Sequence, residues 1–421
     1  MSDVSEPGTE AYLYYYPLVE NLRQVRRYTT TGVGSNPPAP FNTFSHSRNL
    51  AGPQDTFVTI NNDTVYSMAQ LDLSIGPVML DVPATGDRYY VLQFVDAWTN
   101  NIAYVGTRAT GNSAGRFVVV PPGWDSELPE GVPQIAASTN VVTIVGRIAC
   151  GGPDDIAAVV ALQDGFVLTP PEGTGAGFAE LGHGLDDDAR FWSEARAWSA
   201  AFPPPGSDDD SAYAAVLAAA DAPIAPGIER LEYLTHHGSS PVVNGWIVGL
   251  HLFDYNVHAL GLGTIDEDRW KIADPTARII DRAVACRLGL WGNHAYEAVY
   301  AQAFALPDGS PLLGSTTTTL TFPTPPPVGA FWSITMYDIP RYFLVANSID
   351  RYSVGDRTPG IRYADDGSLT LTISAAEPTD ALARANWLPA PSEQYRLVFR
   401  LYIPGAAVLD GTYDFPPLVA R

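Results

Sequence analysis

Between residues 56 and 149 the chain breaks into short runs of β-branched and aromatic residues, each closed by a turn signal. Val78-Met79-Leu80-Asp81-Val82, Tyr89-Tyr90-Val91-Leu92-Gln93-Phe94-Val95, Phe117-Val118-Val119-Val120 and Val141-Val142-Thr143-Ile144-Val145 are separated by Thr85-Gly86-Asp87, Thr110-Gly111-Asn112 and Pro121-Pro122-Gly123. Runs this short and this rich in β-branched residues favour strands over helices. Strands at such spacing, with no helical stretch between them, build a sandwich or barrel-like sheet rather than βαβ units. After residue 315 the pattern returns, with strands expected over 316–322, 330–337, 368–373 and 395–403 and a hairpin turn at Asp365-Asp366-Gly367.

Helical sequence frames these blocks. Tyr12, Tyr15, Tyr16, Leu18, Val19 and Leu22 recur at helical spacing over 9–29, with Arg23, Arg26 and Arg27 near the C-terminal end, where the helix dipole favours cations. Pro17 is expected to kink this helix or to mark a fresh start. A short helix is expected after Pro153-Asp154-Asp155. The stretch 186–300 is Ala-rich and helical, interrupted by Pro203-Pro204-Pro205-Gly206. Ser207 with Asp208, Asp209 and Asp210 reads either as an N-cap with an acidic first turn or as a solvated loop. The expected fold class is α+β, mainly β. An N-terminal β-rich domain with a leading helix (1–175) and a sandwich- or jelly-roll-like C-terminal domain (301–421) are joined by a helical segment (176–300).

Composition narrows the function classes. With 421 residues the chain exceeds one core, and 46% apolar residues are ample for folded domains. The 46 acidic residues against 24 basic give a net charge of −22, which argues against nucleic-acid binding. No run of 18 apolar residues suggests a membrane span, and Met1–Glu10 has neither a basic nor an apolar signal region, so a cytoplasmic location is expected. Two cysteines, Cys150 and Cys286, make no disulfide framework. Edges left by two β domains are compatible with a homo-oligomer.

Two polar blocks interrupt the β pattern: Asn61-Asn62-Asp63-Thr64-Val65-Tyr66-Ser67, and Arg351-Tyr352-Ser353 with Asp356-Arg357-Thr358-Pro359-Gly360. With Asp96-Ala97-Trp98-Thr99 and Val105-Gly106-Thr107-Arg108, the first resembles the N-terminal domain of a paired family, domain of unknown function 1254. Phe331-Trp332-Ser333-Ile334-Thr335-Met336-Tyr337-Asp338, the second block and Asn386-Trp387-Leu388-Pro389 resemble its C-terminal partner, domain of unknown function 1214. The resemblance spans roughly 10–170 and 265–421. It implies two β-rich domains, the second sandwich-like, and carries no settled activity or cofactor.

The leading expectation is a cofactor-independent enzyme acting on a small, largely apolar molecule by acid/base chemistry, as an isomerase, cyclase, lyase or hydrolase. Asp63 would serve as acid or base, Tyr66 and Tyr337 as donors, and Arg351 or Arg357 as anion stabiliser. Asn61, Asn62, Thr64, Trp98, Arg108, Trp332 and Asp356 complete the expected substrate contacts. The bland counterparts are an Asx-turn network at Asn61–Tyr66 and an ion-pair lattice at Asp350–Arg357. One alternative is a non-catalytic β-sandwich that binds carbohydrate or a small molecule. The other is a metal-dependent enzyme in which His251, Asp254 and His258, spaced i, i+3 and i+7, share a helical face and hold a divalent cation.

Overall fold

The computed structural model describes residues 7–421 apart from 57, 182–183, 207–213, 215–216, 218–221 and 239. The capping expectation at Ser207–Asp210 lies outside the described residues. The nine strands before the helical segment are β1 (Phe44–His46), β2 (Thr64–Asp72), β3 (Val78–Val82), β4 (Tyr90–Asp96), β5 (Asn101–Gly106), β6 (Gly115–Val120), β7 (Gln134–Ala136), β8 (Val141–Ala149) and β9 (Val167–Thr169). They form a five-stranded sheet, β1-β2-β8-β4-β5, and a four-stranded one, β7-β6-β3-β9. Val65, Leu71, Leu80, Leu92, Val119 and Ile144 interdigitate between the two. Because side chains alternate along a strand, β2 and β8 send Val65, Ala69, Ile144 and Ile148 into this core. Their alternate residues, Tyr66, Met68, Val145 and Arg147, line a cavity on the opposite side.

The remaining strands are β10 (Val242–Val243), β11 (Trp246–Val248), β12 (Ala298–Ala303), β13 (Thr318–Phe322), β14 (Trp332–Asp338), β15 (Ser353–Gly355), β16 (Leu369–Ser374), β17 (Trp387–Pro389), β18 (Tyr395–Tyr402) and β19 (Leu418–Ala420). A six-stranded sheet, β10-β11-β12-β18-β14-β15, packs on a four-stranded one, β17-β16-β13-β19. β18 is buried along its whole length. Tyr395, Leu397, Phe399 and Leu401 enter the sandwich core, which puts Arg396, Val398, Arg400 and Tyr402 on the other face. The C-terminal sheet therefore draws in strands from before residue 301, starting at Val242. The Asp365-Asp366-Gly367 turn forms, with Ala364 N–H on Ser368 O at 2.8 Å, but it does not join paired strands: β15 and β16 belong to different sheets.

Helix α1 (Pro7–Thr30) runs through Pro17 without a break. Leu18, Leu22 and Val25 pack it on Trp192 and Trp198 of α3 (Asp187–Ala201) and on Leu231 of α4 (Ala225–His236), while α5 (Pro275–Gly289) also lies along it. A single-turn 3-10 element at Pro153–Asp155 leads into α2 (Ile156–Gln163), the short helix expected there. Among the described residues no helix is long and apolar enough to cross a membrane.

The stretch around His251 is not helical, contrary to the sequence expectation. It is a series of turns, because the Asn256 side chain accepts from Ala259 N at 3.0 Å and donates to Asn101 O at 2.9 Å, drawing the backbone away from helical pairing. His251 Nδ1 and Asp254 Oδ2 lie 2.7 Å apart, but the His258 ring lies against Gly206 instead. Among the described residues no three His, Cys, Asp or Glu side chains are grouped to hold a metal.

Candidate functional site

The first polar block is the hinge piece between the two β domains. Asn61 Oδ1 accepts from Thr64 N at 3.1 Å and from Thr64 Oγ1 at 2.9 Å, an Asx-type turn that starts β2. The turn aims Asp63 at the C-terminal sheet, where Tyr402 Oη donates to Oδ1 at 3.0 Å and Ser333 Oγ donates to Oδ2. Asn62 turns the other way, donating to Ala51 O at 2.5 Å and accepting from Ser353 Oγ at 3.3 Å. Tyr337 donates to Ile60 O at 2.6 Å and accepts from Arg400 Nη2 at 2.8 Å, so it fastens the segment rather than facing open space.

Two cavities flank this hinge. The first, of about 320 Å³, lies between the outer faces of the five- and six-stranded sheets. Met68 and Val145 of the N-terminal sheet, Val398 of the C-terminal sheet, and Leu252, Phe253 and Trp291 from the connecting segment give it an apolar wall. Polar side chains share the lining: Asn36, Thr59, Asn61, Thr235, His236, Ser240 and Gln302, with Tyr28, Tyr66, Tyr300, Arg147 and Arg400. Its volume falls within the ~300–1,000 Å³ usual for small-molecule sites.

Register explains how both arginines come to be there. Tyr66 is paired across strands with Arg147, and Tyr300 with Arg400, so each sheet contributes one tyrosine–arginine pair. Arg147 donates to Gln93 Oε1 at 2.8 Å, to Trp291 O at 2.9 Å and, more loosely, to Asn293 Oδ1 at 3.5 Å. Asn293 in turn donates to Tyr300 Oη at 3.0 Å, linking the two pairs. Arg400 donates to Thr335 Oγ1 and Thr59 O, each at 2.9 Å, besides Tyr337. Burial opposes the charge on Arg147, and the phenol oxygens of Tyr300, Tyr66, Tyr402 and Tyr89 act the other way, so its pKa is raised on balance. Burial also lifts Tyr402 well above an ordinary phenol, with Asp63 adding to the shift.

The second cavity, of about 510 Å³, opens on the far side of Asp63 and is lined by Asn62, Asp63, Cys150, Ser333, Arg351 and Arg357 among others. The Arg357 guanidinium lies 3.5 Å from the Phe331 ring centroid and donates to Asp63 O at 3.0 Å, while its Nε has no partner among the described residues. Arg351 donates to Ala385 O and Trp387 O, both at 3.0 Å, and so fastens a loop. The ion-pair lattice considered for this block does not form: neither arginine meets a described carboxylate within ion-pair distance, and Tyr352 donates to Asp350 instead.

The expected site residues are thus divided. Asn61 and Tyr66 line the first cavity; Asn62, Asp63, Arg351, Arg357 and Trp332 line the second. Tyr337, Thr64 and Asp356 line neither, Asp356 accepting from Trp332 N at 3.3 Å. Trp98 belongs to the helical core, packed against Tyr14 and Tyr15 with Nε1 on Phe202 O at 2.8 Å. Arg108 is held by buried Glu297 at 2.5 Å, and Tyr89 donates to the same carboxylate at 2.8 Å. Arg147, Tyr300, Arg400 and Tyr402 were missed by motif reading. The available signal was Tyr395-Arg396-Leu397-Val398-Phe399-Arg400, a strand in which arginine recurs at even spacing among apolar residues.

Fold and site together define an α+β protein of two β-rich domains with a cavity where two of its sheets meet. The N-terminal half matches the family described as protein of unknown function DUF1254 over residues 41–170, and the C-terminal half matches DUF1214 over 297–406. The chain belongs to this paired family. Among solved structures it is similar to the VPA0106 protein of Vibrio parahaemolyticus, with 23% identity, 99% of each chain covered and a TM-score of 0.68, a likeness of fold. A putative uncharacterized protein from Burkholderia cenocepacia is more distant, with 13% identity, 98% of this chain and 88% of that one covered, and a TM-score of 0.48. A search of curated proteins gave no match.

Proposed function

We propose that this chain acts on a small, largely apolar molecule held in the cavity between its two β domains, by acid/base chemistry of its own side chains. The observation that carries the reading is the meeting of one tyrosine–arginine pair from each sheet in a cavity whose wall includes Met68, Val145, Phe253 and Trp291. Hydrogen-bond donors fixed in an apolar site stabilise developing negative charge more effectively than they do in water. Arg147 and Arg400 are suited to that role, and the Tyr66 and Tyr300 phenols to donating a proton. Asp63 stands behind the wall as proton acceptor, reached through Tyr402, whose hydroxyl also lies 3.4 Å from Asn61 Nδ2.

The carbohydrate-binding alternative finds less support. Eight of the nine tryptophans are buried, which leaves little aromatic platform for a sugar ring.

The test combines binding with exchange. Small apolar compounds would be screened by Trp291 fluorescence against the wild type and against Val145→Phe, which fills the cavity. Bound compounds would then be incubated in D2O and weighed by mass spectrometry. Binding lost in Val145→Phe, with deuterium uptake lost in Asp63→Asn but binding kept, is the expected result. Binding without uptake for every ligand would reduce the protein to a binder, and binding unaffected by Val145→Phe would move the site elsewhere.

A further inference from the structure

The arginines of this chain are paired in two different ways. Several hold the fold through carboxylates, Arg108 with Glu297, Arg23 and Arg26 with Glu194, Arg88 with Asp155, while Arg351 does so through backbone carbonyls. Arg147 and Arg400 are buried more completely than any of these, yet neither forms an ion pair with a described carboxylate. Acids are not scarce, since they outnumber basic residues 46 to 24. A buried guanidinium without an opposing charge is costly to keep in a folded protein.

The local partners do not remove that cost. Those of Arg147 are two amide oxygens and a carbonyl; those of Arg400 are two hydroxyls and a carbonyl. Each side chain thereby uses three of its five N–H donors. The phenols around them are neutral near pH 7. Asp63 acts on Arg400, and Glu297 interacts with Arg147, only from beyond ion-pair distance. Arg396, also buried without a carboxylate, lies closer to aromatic rings, with Tyr342 at 4.3 Å and Phe304 at 5.4 Å against 5.7 Å for Tyr66 over Arg147 and for Tyr337 over Arg400, and it lines neither of the two cavities. Arg147 and Arg400 are the two that reach the same cavity, one from each sheet.

We infer that the natural ligand of the interdomain cavity is an organic acid, its carboxylate taken between Arg147 and Arg400 and its apolar body lying against Met68, Val145, Phe253 and Trp291. This assignment rests on the small-molecule reading above and names its ligand class. The carboxylate supplies the missing charge, and its planar oxygens suit guanidinium forks. Neutral apolar molecules would fill the same volume but leave both cations uncompensated.

The experiment uses the full-length chain and matched probes: straight-chain acids from butanoate to dodecanoate, with benzoate, phenylacetate and cinnamate, each beside its primary amide. Affinities would be read by Trp fluorescence and calorimetry in the wild type, Arg147→Met, Arg400→Met, the two Arg→Lys variants and Val145→Phe. The expected result is that at least one acid binds about tenfold or more tightly than its amide. Each Met variant should erase that preference, and each Lys variant should keep part of it. Either arginine alone suffices for the test if the other variant fails to fold, as judged by circular dichroism. Acids and amides bound alike, or a preference untouched by both Met variants, would overturn the carboxylate assignment and leave the cavity reading standing. No probe bound by the wild type, or all bound equally by Val145→Phe, would overturn both.

Discussion

Tyr402 donates a hydrogen bond to Asp63 Oδ1 at 3.0 Å across 339 residues of sequence, and with Ser333 on the other oxygen it closes the N-terminal domain onto the C-terminal sheet. This one carboxylate ties the start of β2 to β14 and β18. It also forms the partition between the two cavities, because Asn61 on one side and Asp63 on the other belong to the same turn.

Asp63→Ala should therefore act on stability as well as chemistry. It leaves two buried hydroxyl donors without an acceptor, and a loss of about 2–4 kcal/mol is expected. Asp63→Asn keeps an acceptor and should cost about 1 kcal/mol. Thermal melts of both variants check this; equal melting temperatures for Ala and wild type would mean that the contact carries no weight.

Acid should weaken the fold through one buried histidine, His294, and one half-buried, His46. Burial holds His294 down to about 3, with Arg108 adding to the shift, and holds His46 down to about 4, with Arg48 adding and Asp164 opposing. As pH falls through 6.5 the unfolded chain takes up protons that the native state refuses, so stability declines from pH 6.5 towards 3–4 and flattens below. Each histidine contributes a slope of at most about 1.4 kcal/mol per pH unit in its window. His294→Gln should reduce the slope of stability against pH; an unchanged slope between pH 4 and 6 would refute the assignment.

Trp98→Phe separates packing from ligand contact. The substitution removes the hydrogen bond to Phe202 O and part of the contact with Tyr14 and Tyr15, at an expected cost of about 1–3 kcal/mol. Ligand affinity in the interdomain cavity should not change. A selective loss of affinity with normal stability would return Trp98 to the site.

Much of the strand order of events was legible, and the helix over 9–29 was too, because periodicity is a local property. Val78–Val82 stands as β3, and 395–403 differs from β18 by one residue. The turn at His251 was not legible, since i, i+3 spacing fits a single tight turn as well as a helix and only the Asn256 side chain decides between them. At the candidate site, composition marked Asn61–Tyr66, where Asn61 and Thr64 meet locally, though not the distant partners that Asp63 finds in Tyr402 and Ser333. It could not mark Arg147 and Arg400. They are brought together by strand register in two sheets and by the packing of those sheets, which no short window of sequence contains.

Gly355 offers a backbone test of the second cavity. A Cβ there would stand 2.1 Å from Trp332 O, within the β14–β15 pair that carries Ser333 and leads to Arg357. Gly355→Ala should separate these strands and cost about 1–3 kcal/mol. It should loosen Arg357 from Phe331 while sparing ligands of the first cavity. Unchanged stability in denaturant titration would show that the pair tolerates the added carbon.

Since the two arginines of the interdomain cavity come from different halves of the chain, each half alone inherits only one jaw of a clamp. On the proposed reading this gives a physical reason for the two domains to occur side by side, since separating them would part Arg147 from Arg400. If the cavity holds an acid as proposed, the seam between the sheets is the unit that recognises it, and changes at Arg147 and Arg400 are expected to compensate one another in pairs across it.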